Sequence, residues 1–237
     1  MRIPGRGAPE NSSDAVKHTG SRLGLLHPES VAAGVEEEFH TVDLATRRLT
    51  GQAGSLVELL PAGRFGSELQ RSVLEANSRP HVRLADLAAD VAALRRAAIA
   101  AAQPLALGIV AAGTVPIADP DTLTITPDPR YQHMQGEYRM LVREQLICGT
   151  QVHVDVVDRD LAVAVAHRVA PWLPALLALS ASSPFWLGTD TGYASYRTLI
   201  VVHVHPLAGE CWPTSARWPG PAGPIVSGQP IRANPRQ

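Results

Sequence analysis

Residues 35–42 read VEEEFHTV, and this stretch decides both the fold and the candidate site. Its apolar and polar residues alternate, which predicts a β-strand with Glu36 and Glu38 on one face and Glu37 on the other. Carboxylates at positions i and i+2 of a strand project from the same face about 7 Å apart. Burying like charges at that spacing is costly without a cation beside them, and Mg²⁺ takes oxygen ligands of this kind. The alternative is an exposed edge strand with solvated glutamates.

The composition outside this stretch is that of an ordinary globular protein. The chain has 237 residues, of which 45% are hydrophobic and 18% charged, and its formal net charge is -1. This length allows one large domain or two small ones, and the charge leaves no global field to attract nucleic acid or anionic lipid. We therefore expect no nucleic-acid partner.

Lysine and cysteine usage excludes further classes of protein. Lys17 is the only lysine, so neither a Walker phosphate-binding loop nor a buried Schiff-base amine can be assembled. If the protein binds ATP, arginines and metal must hold the phosphates. The two cysteines, Cys148 and Cys211, provide no disulfide framework, which favours a reducing cytoplasm.

The remaining hydrophobic patterns alternate between strand and helix periods. They predict, in chain order, a helix over 82–103, a buried strand over 105–114, a helix over 131–147 after Asp128-Pro129, a strand over 150–157 and an apolar helix over 161–179 bent at its prolines. Uncharged stretches over 97–118 and 169–189 are interrupted by proline, glycine or serine, so we expect no membrane span.

Three segments follow from these patterns. Residues 1–30 lack a hydrophobic period and are predicted to be a mobile extension. Residues 31–200 form the predicted folded domain. Residues 201–237 are rich in proline and glycine and are predicted to be an irregular tail. His203 and His205 are spaced like strand-borne metal ligands, but they are discounted because no third ligand accompanies them.

Two other segments offer candidate ligands. Glu68 and Glu75 flank a short motif whose simplest interpretation is a charged loop running into a strand. His153 lies between Gln151 and Asp155 on the polar face of a strand whose other face is valine, so we expect that strand to be half-buried against a core. The histidine is either a structural residue or a ligand.

A substrate pocket is predicted from two segments between residues 180 and 197. Residues 180–186 read SASSPFW and residues 192–197 read GYASYR. Small hydroxyl residues, among them Ser182, together with aromatics and Arg197 would suit recognition of a carboxylate or phosphate by a guanidinium. The alternative is a helix end followed by a glycine-rich turn.

Eight motifs in collinear order over 34–198 resemble glutamate–cysteine ligase family 2, the bacterial carboxylate-amine ligases. These motifs are GVEEEF, SELQRSVLE, LRRA, AGT at 112–114, DPRY, CGTQVHVDV, PWLPALLALSASSPFW and GYASYR. The resemblance implies an α+β fold related to glutamine synthetase, in which a mainly antiparallel sheet forms a funnel. It also implies ATP-dependent formation of a γ-glutamyl amide with ATP and Mg²⁺ or Mn²⁺.

The resemblance also implies roles for individual residues. Arg197 would contact substrate or phosphate and is the candidate catalytic residue, and Gln151 and Ser182 would join it in binding substrate or ATP. The implied metal ligands or near neighbours are Glu36, Glu38, Glu68, Glu75 and His153. The expected partners are small molecules, namely glutamate, cysteine or another amine, and ATP, with no membrane and with a possible homo-oligomer.

The chain departs from the family pattern after about Ile200. Codons can be chosen for residues 201–208 such that, when one base is dropped, the shifted reading frame encodes the Trp and Arg-Trp-Pro pattern of the family. We therefore predict that the tail is truncated or frameshifted. The first hypothesis is a glutamate–cysteine ligase of weak activity. The second is a truncated, inactive chain that at most binds metal or nucleotide. A zinc hydrolase using His153 is a third, which needs a further nitrogen or sulfur ligand.

Overall fold

The computed structural model describes residues 31–119 and 124–204. Within these ranges the strands are β1 (Ala33–Asp43), β2 (Phe65–Ser67), β3 (Val73–Asn77), β4 (Leu107–Val110), β5 (Thr150–Val154), β6 (Phe185–Trp186) and β7 (Thr189–Asp190). The helices are α1 (Ala53–Val57), α2 (Leu84–Ala102), α3 (Pro129–Tyr138), α4 (Met140–Arg143), α5 (Arg159–Val169), α6 (Leu173–Ser180) and α7 (Tyr196–Val204), with 3₁₀ turns at Gln103–Leu105 and Ala170–Trp172.

Strand β1 is the centre of a five-stranded antiparallel sheet. β3 pairs with β1 along one edge, and β2 pairs with β3 beyond it. The other edge of β1 is shared, because β5 pairs with its first half and β4 with its second half. The eleven residues of β1 are long enough for both partners. The two-stranded hairpin of β6 and β7 is separate.

The two faces of β1 have different surroundings, as its alternation predicts. Phe39 faces the hydrophobic core, where it joins Leu74 of β3 and Leu94 of α2. Glu37 shares this face and is buried, and it is held by Arg95 of α2, whose Nε and Nη2 lie 2.7 and 2.5 Å from the carboxylate oxygens. The opposite face of the sheet carries the alternate set of β1 residues and forms the candidate site.

The three helices that the sequence predicts begin within two residues of the expected positions, at Leu84, Pro129 and Arg159, whereas α1 and α7 were not predicted. Asp128 caps α3 by accepting a hydrogen bond of 2.8 Å from the Arg130 N–H, and Pro129 occupies the first turn, where its missing N–H costs nothing. The predicted helix over 131–147 is nevertheless divided into α3 and α4, because Arg139 takes a positive φ of 47° between them. The predicted bend near Pro171 is confirmed as a 3₁₀ turn between α5 and α6.

One expectation about the C-terminal third is wrong. β5 is exposed along its whole length, and its valines Val152 and Val154 are 65% and 53% exposed, so no described residue buries the valine face. Alternation predicts a strand but does not indicate which residues cover it. The tail was expected to be mostly irregular over 201–237, and the part of it that is described, up to Val204, is the end of α7. The predictions for residues 1–30 and 205–237, His205 included, fall outside the described residues, and no side chain is described for His203.

The run Arg159–Ser180 is apolar and long enough, by length and composition alone, to cross a membrane, which is weak evidence for a span. It contains the 3₁₀ turn, and none of its residues is buried. The strand expected to be buried over 105–114 is shorter and only partly buried, since β4 covers Leu107–Val110 and Val110 is 40% exposed.

Candidate metal and substrate site

The site is built around the carboxylates on the open face of the sheet. The register of β1 and β3 places Glu38 directly opposite Glu75, and directly opposite residues share a face. Glu36 is two residues earlier on the same face, and Glu68 follows the end of β2. One oxygen from each of Glu36, Glu68 and Glu75 lies within 4.8 Å of the others. We call these three residues the acidic cluster.

Burial and mutual repulsion make the carboxyls of Glu38, Glu68 and Glu75 hard to ionise. Burial raises the pKa of Glu68 to about 7, and the neighbouring Glu75 adds to the effect. Burial likewise raises the pKa of Glu38 to about 7, with the charge of Glu68 as the next cause. The pKa of Glu75 is raised by burial and by its contact with Glu36. The face therefore favours a bound cation or bound protons near neutral pH.

Neighbouring donors hold two of these carboxylates in place. The Tyr131 hydroxyl of α3 donates to Glu68 Oε2 over 3.2 Å, and the amide of Asn77 donates to Glu75 Oε1 over 2.7 Å. Burial and the charge of Glu68 raise the pKa of Tyr131, which keeps its hydroxyl a donor. Tyr131 belongs to the DPRY motif, but that motif alone did not suggest this contact.

β5 brings two predicted residues to the edge of the cluster. Gln151 pairs with Glu36 in the ladder, and His153 follows two residues later on the same face. The His153 Nε2 lies 3.0 Å from Glu36 Oε2, and the ring is about half exposed. His153 is thus a neighbour of one candidate ligand and is not a member of the acidic cluster.

Arg197, at the start of α7, lies on the same face of the sheet as the carboxylates and is held there by hydrogen bonds and close packing. Its Nε donates to the Cys148 carbonyl over 2.7 Å, and its backbone N–H donates to the Ser183 hydroxyl over 3.2 Å. Gly149 lies against the guanidinium so closely that a Cβ at this position would overlap Nη2. The Gly149 N–H also donates to Glu38 Oε2 over 2.6 Å. Gly149 therefore positions Glu38 and Arg197 together.

Ser182 was predicted to bind substrate or ATP, but it is exposed and lines neither the cavity of about 440 Å³ beside Glu38 nor that of about 490 Å³ beside His40. The neighbouring Ser183 is 3% exposed and makes the contact with Arg197. The sequence offered no means of choosing between these adjacent serines.

A cavity of about 440 Å³ opens beside the carboxylates. Its polar lining comprises Glu38, Glu68, Gln70, Gln145, Thr150, Gln151 and Arg197. The Gln70 amide donates to the Val142 carbonyl over 2.7 Å and is fixed in place. Gln145 Oε1, by contrast, is buried with no hydrogen-bond partner among the described residues. The cavity thus offers a guanidinium for an anionic group and a free acceptor for a donor group.

The donor set of the cluster fits a hard divalent cation. Three carboxylates at this spacing are the oxygen ligands that Mg²⁺ prefers, and a bound cation would offset the repulsion that helps to raise the pKa values of Glu68 and Glu75. Structural and catalytic zinc sites use nitrogen or sulfur ligands, and within 31–119 and 124–204 the cluster contains none. The zinc hydrolase hypothesis therefore lacks the further ligand that it needs.

An antiparallel sheet with α1 and α2 packed on one face and clustered carboxylates on the other defines an α+β protein with a cation-type site beside an arginine-lined cavity. A sequence model of glutamate-cysteine ligase family 2 (GCS2) matches residues 32–207, and the chain belongs to this family.

Similar proteins agree with this assignment. A Frankia alni protein provisionally named glutamate–cysteine ligase 2-3 is 53% identical over 186 residues, which are 78% of this chain and 21% of that protein. A Mycolicibacterium smegmatis protein provisionally named glutamate–cysteine ligase 2-2 is 50% identical over 187 residues, which are 78% of this chain and 45% of that protein. The chain thus spans about a fifth of the first relative and under half of the second.

A solved structure supports the fold. The bifunctional glutathione synthetase from Pasteurella multocida superposes with a TM-score of 0.51 at 15% sequence identity, covering 69% of this chain and 25% of that one. The expected α+β fold of the glutamate–cysteine ligase type is confirmed.

Proposed function

We propose that the chain forms the glutamate-activating face of an ATP-dependent carboxylate-amine ligase, with L-glutamate as the acid, and that its reaction is glutamate–cysteine ligation. The observation that carries this proposal is that Glu68 of the acidic cluster, together with Glu38, lines one cavity with Arg197. Family membership and the names of the relatives support the reaction class. A cytoplasmic, small-molecule enzyme is the setting that we propose for this activity.

The reaction occurs in two steps. A γ-carboxylate oxygen of glutamate attacks the γ-phosphorus of ATP, ADP leaves, and γ-glutamyl phosphate forms. The amine nitrogen of cysteine then attacks the carbonyl carbon, loses a proton and expels inorganic phosphate. Activation is necessary because a carboxylate oxygen is a poor leaving group, whereas phosphate is a good one.

The residues of this chain bind and orient the reactants. Arg197 binds a carboxylate or phosphate oxygen, since its Nε is held by the Cys148 carbonyl and its guanidinium is fixed in direction. Gln145 and Gln151 line the same cavity, where the free Oε1 of Gln145 can accept a hydrogen bond from the ammonium group of glutamate. Glu38 is oriented by the Gly149 N–H and faces the same space.

The acidic cluster, with Glu38 and His153 beside it, would hold Mg²⁺ or Mn²⁺. A divalent ion bound there supplies the positive charge that offsets the growing negative charge of a transferred phosphoryl group. Among the described residues Arg197 is the arginine that lines the cavity, so it and the ion would supply the positive charge for the phosphates.

The direct test replaces the unknown acceptor with hydroxylamine, which traps γ-glutamyl phosphate as the hydroxamate. Purified full chain is incubated with ATP, MgCl₂, L-glutamate and hydroxylamine, and ADP and hydroxamate are both quantified. We expect equal amounts of the two products, dependent on glutamate. Cysteine as acceptor should then give γ-glutamylcysteine.

Two variants control this assay. Glu36→Gln removes a member of the acidic cluster and should abolish both products, whereas Glu58→Gln, at an exposed position after α1, should leave them unchanged. Turnover no higher than that of Glu36→Gln would contradict ligase activity for this chain. The chain would then be an inactive family member that at most binds metal or nucleotide, which is the second hypothesis.

A further inference from the structure

A chain of hydrogen bonds connects the carboxylate of Glu75 to helix α2, which packs on the opposite face of the sheet. Its first member is Asn77, the last residue of β3. Asn77 pairs with Glu36 in the ladder, so its side chain lies on the same face as the acidic cluster. Its Nδ2 donates to Glu75 Oε1 over 2.7 Å. The residues that hold Asn77 in turn belong to neither the acidic cluster nor the cavity beside it.

Arg64 holds the main chain of Asn77. The Asn77 N–H donates to the Arg64 carbonyl over 2.8 Å, and the Arg64 Nε donates to the Asn77 carbonyl over 2.8 Å. The same guanidinium donates from Nη2 to Asp90 Oδ1 of α2, also over 2.8 Å. The planar guanidinium makes both bonds at once because its donors have fixed directions, whereas a lysine ammonium offers no such pair. One side chain thus connects Asn77 to α2.

Asp90 accepts hydrogen bonds from the segment that follows β3 as well as from Arg64. The Arg79 N–H donates to Asp90 Oδ2 over 2.9 Å, and the His81 Nε2 lies 3.0 Å from the same oxygen. Burial alone would raise the pKa of Asp90, but the hydrogen bonds from Arg64 and His81 lower it well below its usual range. Asp90 therefore stays ionised and fixes both Arg64 and the segment after Asn77.

A hydrogen bond to one oxygen of a carboxylate sets where the other oxygen lies. The terminal torsion of a glutamate is otherwise broad, so the contact from Asn77 restricts the rotation of Glu75. Mg²⁺ demands near-ideal octahedral geometry at about 2.0–2.1 Å, whereas Ca²⁺ accepts about six to eight oxygens at longer distances in flexible arrangements. Loss of the restraint on Glu75 should therefore weaken the binding of Mg²⁺ more than that of Ca²⁺.

We propose that Asn77 is a positioning residue that makes the acidic cluster selective for Mg²⁺ over Ca²⁺, and that Arg64 and Asp90 act through it. This inference rests on the cation site of the proposed function. Residues that orient a metal ligand without touching the metal typically change metal affinity by about 10- to 100-fold when they are replaced.

The test measures the affinity of the full chain for each cation by calorimetry, with MgCl₂ or CaCl₂ titrated into metal-free protein and no substrate present. Asn77→Leu is close in size but lacks the amide donor. We expect it to weaken Mg²⁺ binding by about tenfold or more and Ca²⁺ binding by no more than about threefold. Arg64→Lys and Asp90→Asn act at one remove, so each should lower the ratio of Mg²⁺ to Ca²⁺ affinity by about threefold.

Two controls separate positioning from a general loss of stability. Asp86→Asn makes the same chemical change on the same helix as Asp90→Asn, but Asp86 is exposed and lies in a surface ion pair of 3.7 Å with Arg83. Leu94→Val leaves a small cavity in the core that α2 shares with β3, so it should lower the melting temperature without touching Asn77. Neither control should change the ratio of Mg²⁺ to Ca²⁺ affinity, and melting curves confirm that each variant is folded.

The outcomes distinguish this inference from the proposed function. A ratio that falls in Asn77→Leu but not in Leu94→Val supports the positioning role even if no hydroxamate is formed. An unchanged ratio in Asn77→Leu, or an equal fall in Leu94→Val, overturns that role, while hydroxamate formation by the wild type leaves the ligase intact. If Asn77→Leu does not fold, an unchanged ratio in Asp90→Asn overturns the inference and a lowered ratio supports it. A wild type that binds neither ion overturns it too.

Discussion

Replacing Glu68 with Gln should change how the stability of the metal-free protein depends on pH. Glu68 has a pKa of about 7 in the folded protein, against 4.5 as the ordinary value. A folded pKa above the unfolded one means that the stabilising contribution is fully present below pH 4.5 and is lost as the pH rises through 7. Acidification from pH 8 to 5.5 should therefore stabilise the wild type relative to Glu68→Gln.

The size of the effect follows from the two pKa values. A tenfold change in proton affinity is about 1.4 kcal/mol, so full ionisation of Glu68 costs roughly 3 kcal/mol. About 2 kcal/mol of this falls between pH 5.5 and 8, and solvent in the open cavity reduces it to about 1 kcal/mol. For a chain of this size we expect a relative increase in melting temperature of about 2–4 °C.

The assay is thermal unfolding at pH 5.5 and pH 8 in EDTA, for the wild type and Glu68→Gln. His40 has the opposite sign, because burial lowers its folded pKa to about 4 and its contribution is lost as the pH falls below 6.5. Both proteins contain His40, so its contribution cancels in the difference. If the melting temperatures of the wild type and Glu68→Gln change by the same amount between pH 5.5 and pH 8, the argument that ionisation of Glu68 destabilises the fold is refuted.

The same proteins test the cation. A saturating divalent ion stabilises the fold by about 2.7 kcal/mol at a hundredfold excess over its dissociation constant. At pH 8 MnCl₂ should produce this gain in the wild type and much less in Glu68→Gln. Glu37→Gln should have a lower starting stability but keep the full gain, since Glu37 lies on the opposite face and pairs with Arg95. Equal losses in both variants would contradict the assignment of the two faces.

Three substitutions test the packing around the site. Gly149→Ala should keep the fold but reduce hydroxamate formation at least tenfold, because the added Cβ displaces the Arg197 guanidinium; circular dichroism and the trapping assay measure the two effects. Arg95→Leu leaves buried Glu37 unpaired and should cost about 2–3 kcal/mol in urea unfolding, most of it recovered by adding Glu37→Gln. Leu176→Gln should raise solubility without lowering the melting temperature, because this side chain is 51% exposed.

The alternation of β1 was sufficient to predict the two faces of its carboxylates. Side chains in a strand point to opposite sides with a period of two, so the separation of Glu36 and Glu38 from Glu37 is local. The proximity of Glu68 and Glu75 to Glu36 and Glu38, by contrast, cannot be predicted from a local sequence pattern. It depends on the register between β1, β3 and β2, which tertiary packing sets and which no single segment encodes. Only the family resemblance predicted that these residues belong together.

The sequence patterns did not predict the positioning roles of Gly149 and Ser183, for a related reason. Gly149 acts through a close approach to Arg197, which is nearly fifty residues away along the chain. Ser183 acts through burial, which separates it from the exposed Ser182 only after folding. The exposed valines of β5 illustrate the same limit, since a pattern indicates which residues share a face but not what that face contacts.

The charges around the cavity favour the binding of a cation. The face carries Glu36, Glu38, Glu68 and Glu75, and within the described ranges Arg197 is the one fixed positive charge that lines the cavity. Arg197 lowers the pKa of Glu38, yet burial and Glu68 outweigh it and the value stays near 7. One guanidinium is thus insufficient for the carboxylates already present. In the proposed reaction glutamate and ATP would add further negative charge, which a divalent ion would offset, so we expect their affinity to increase with Mg²⁺ concentration.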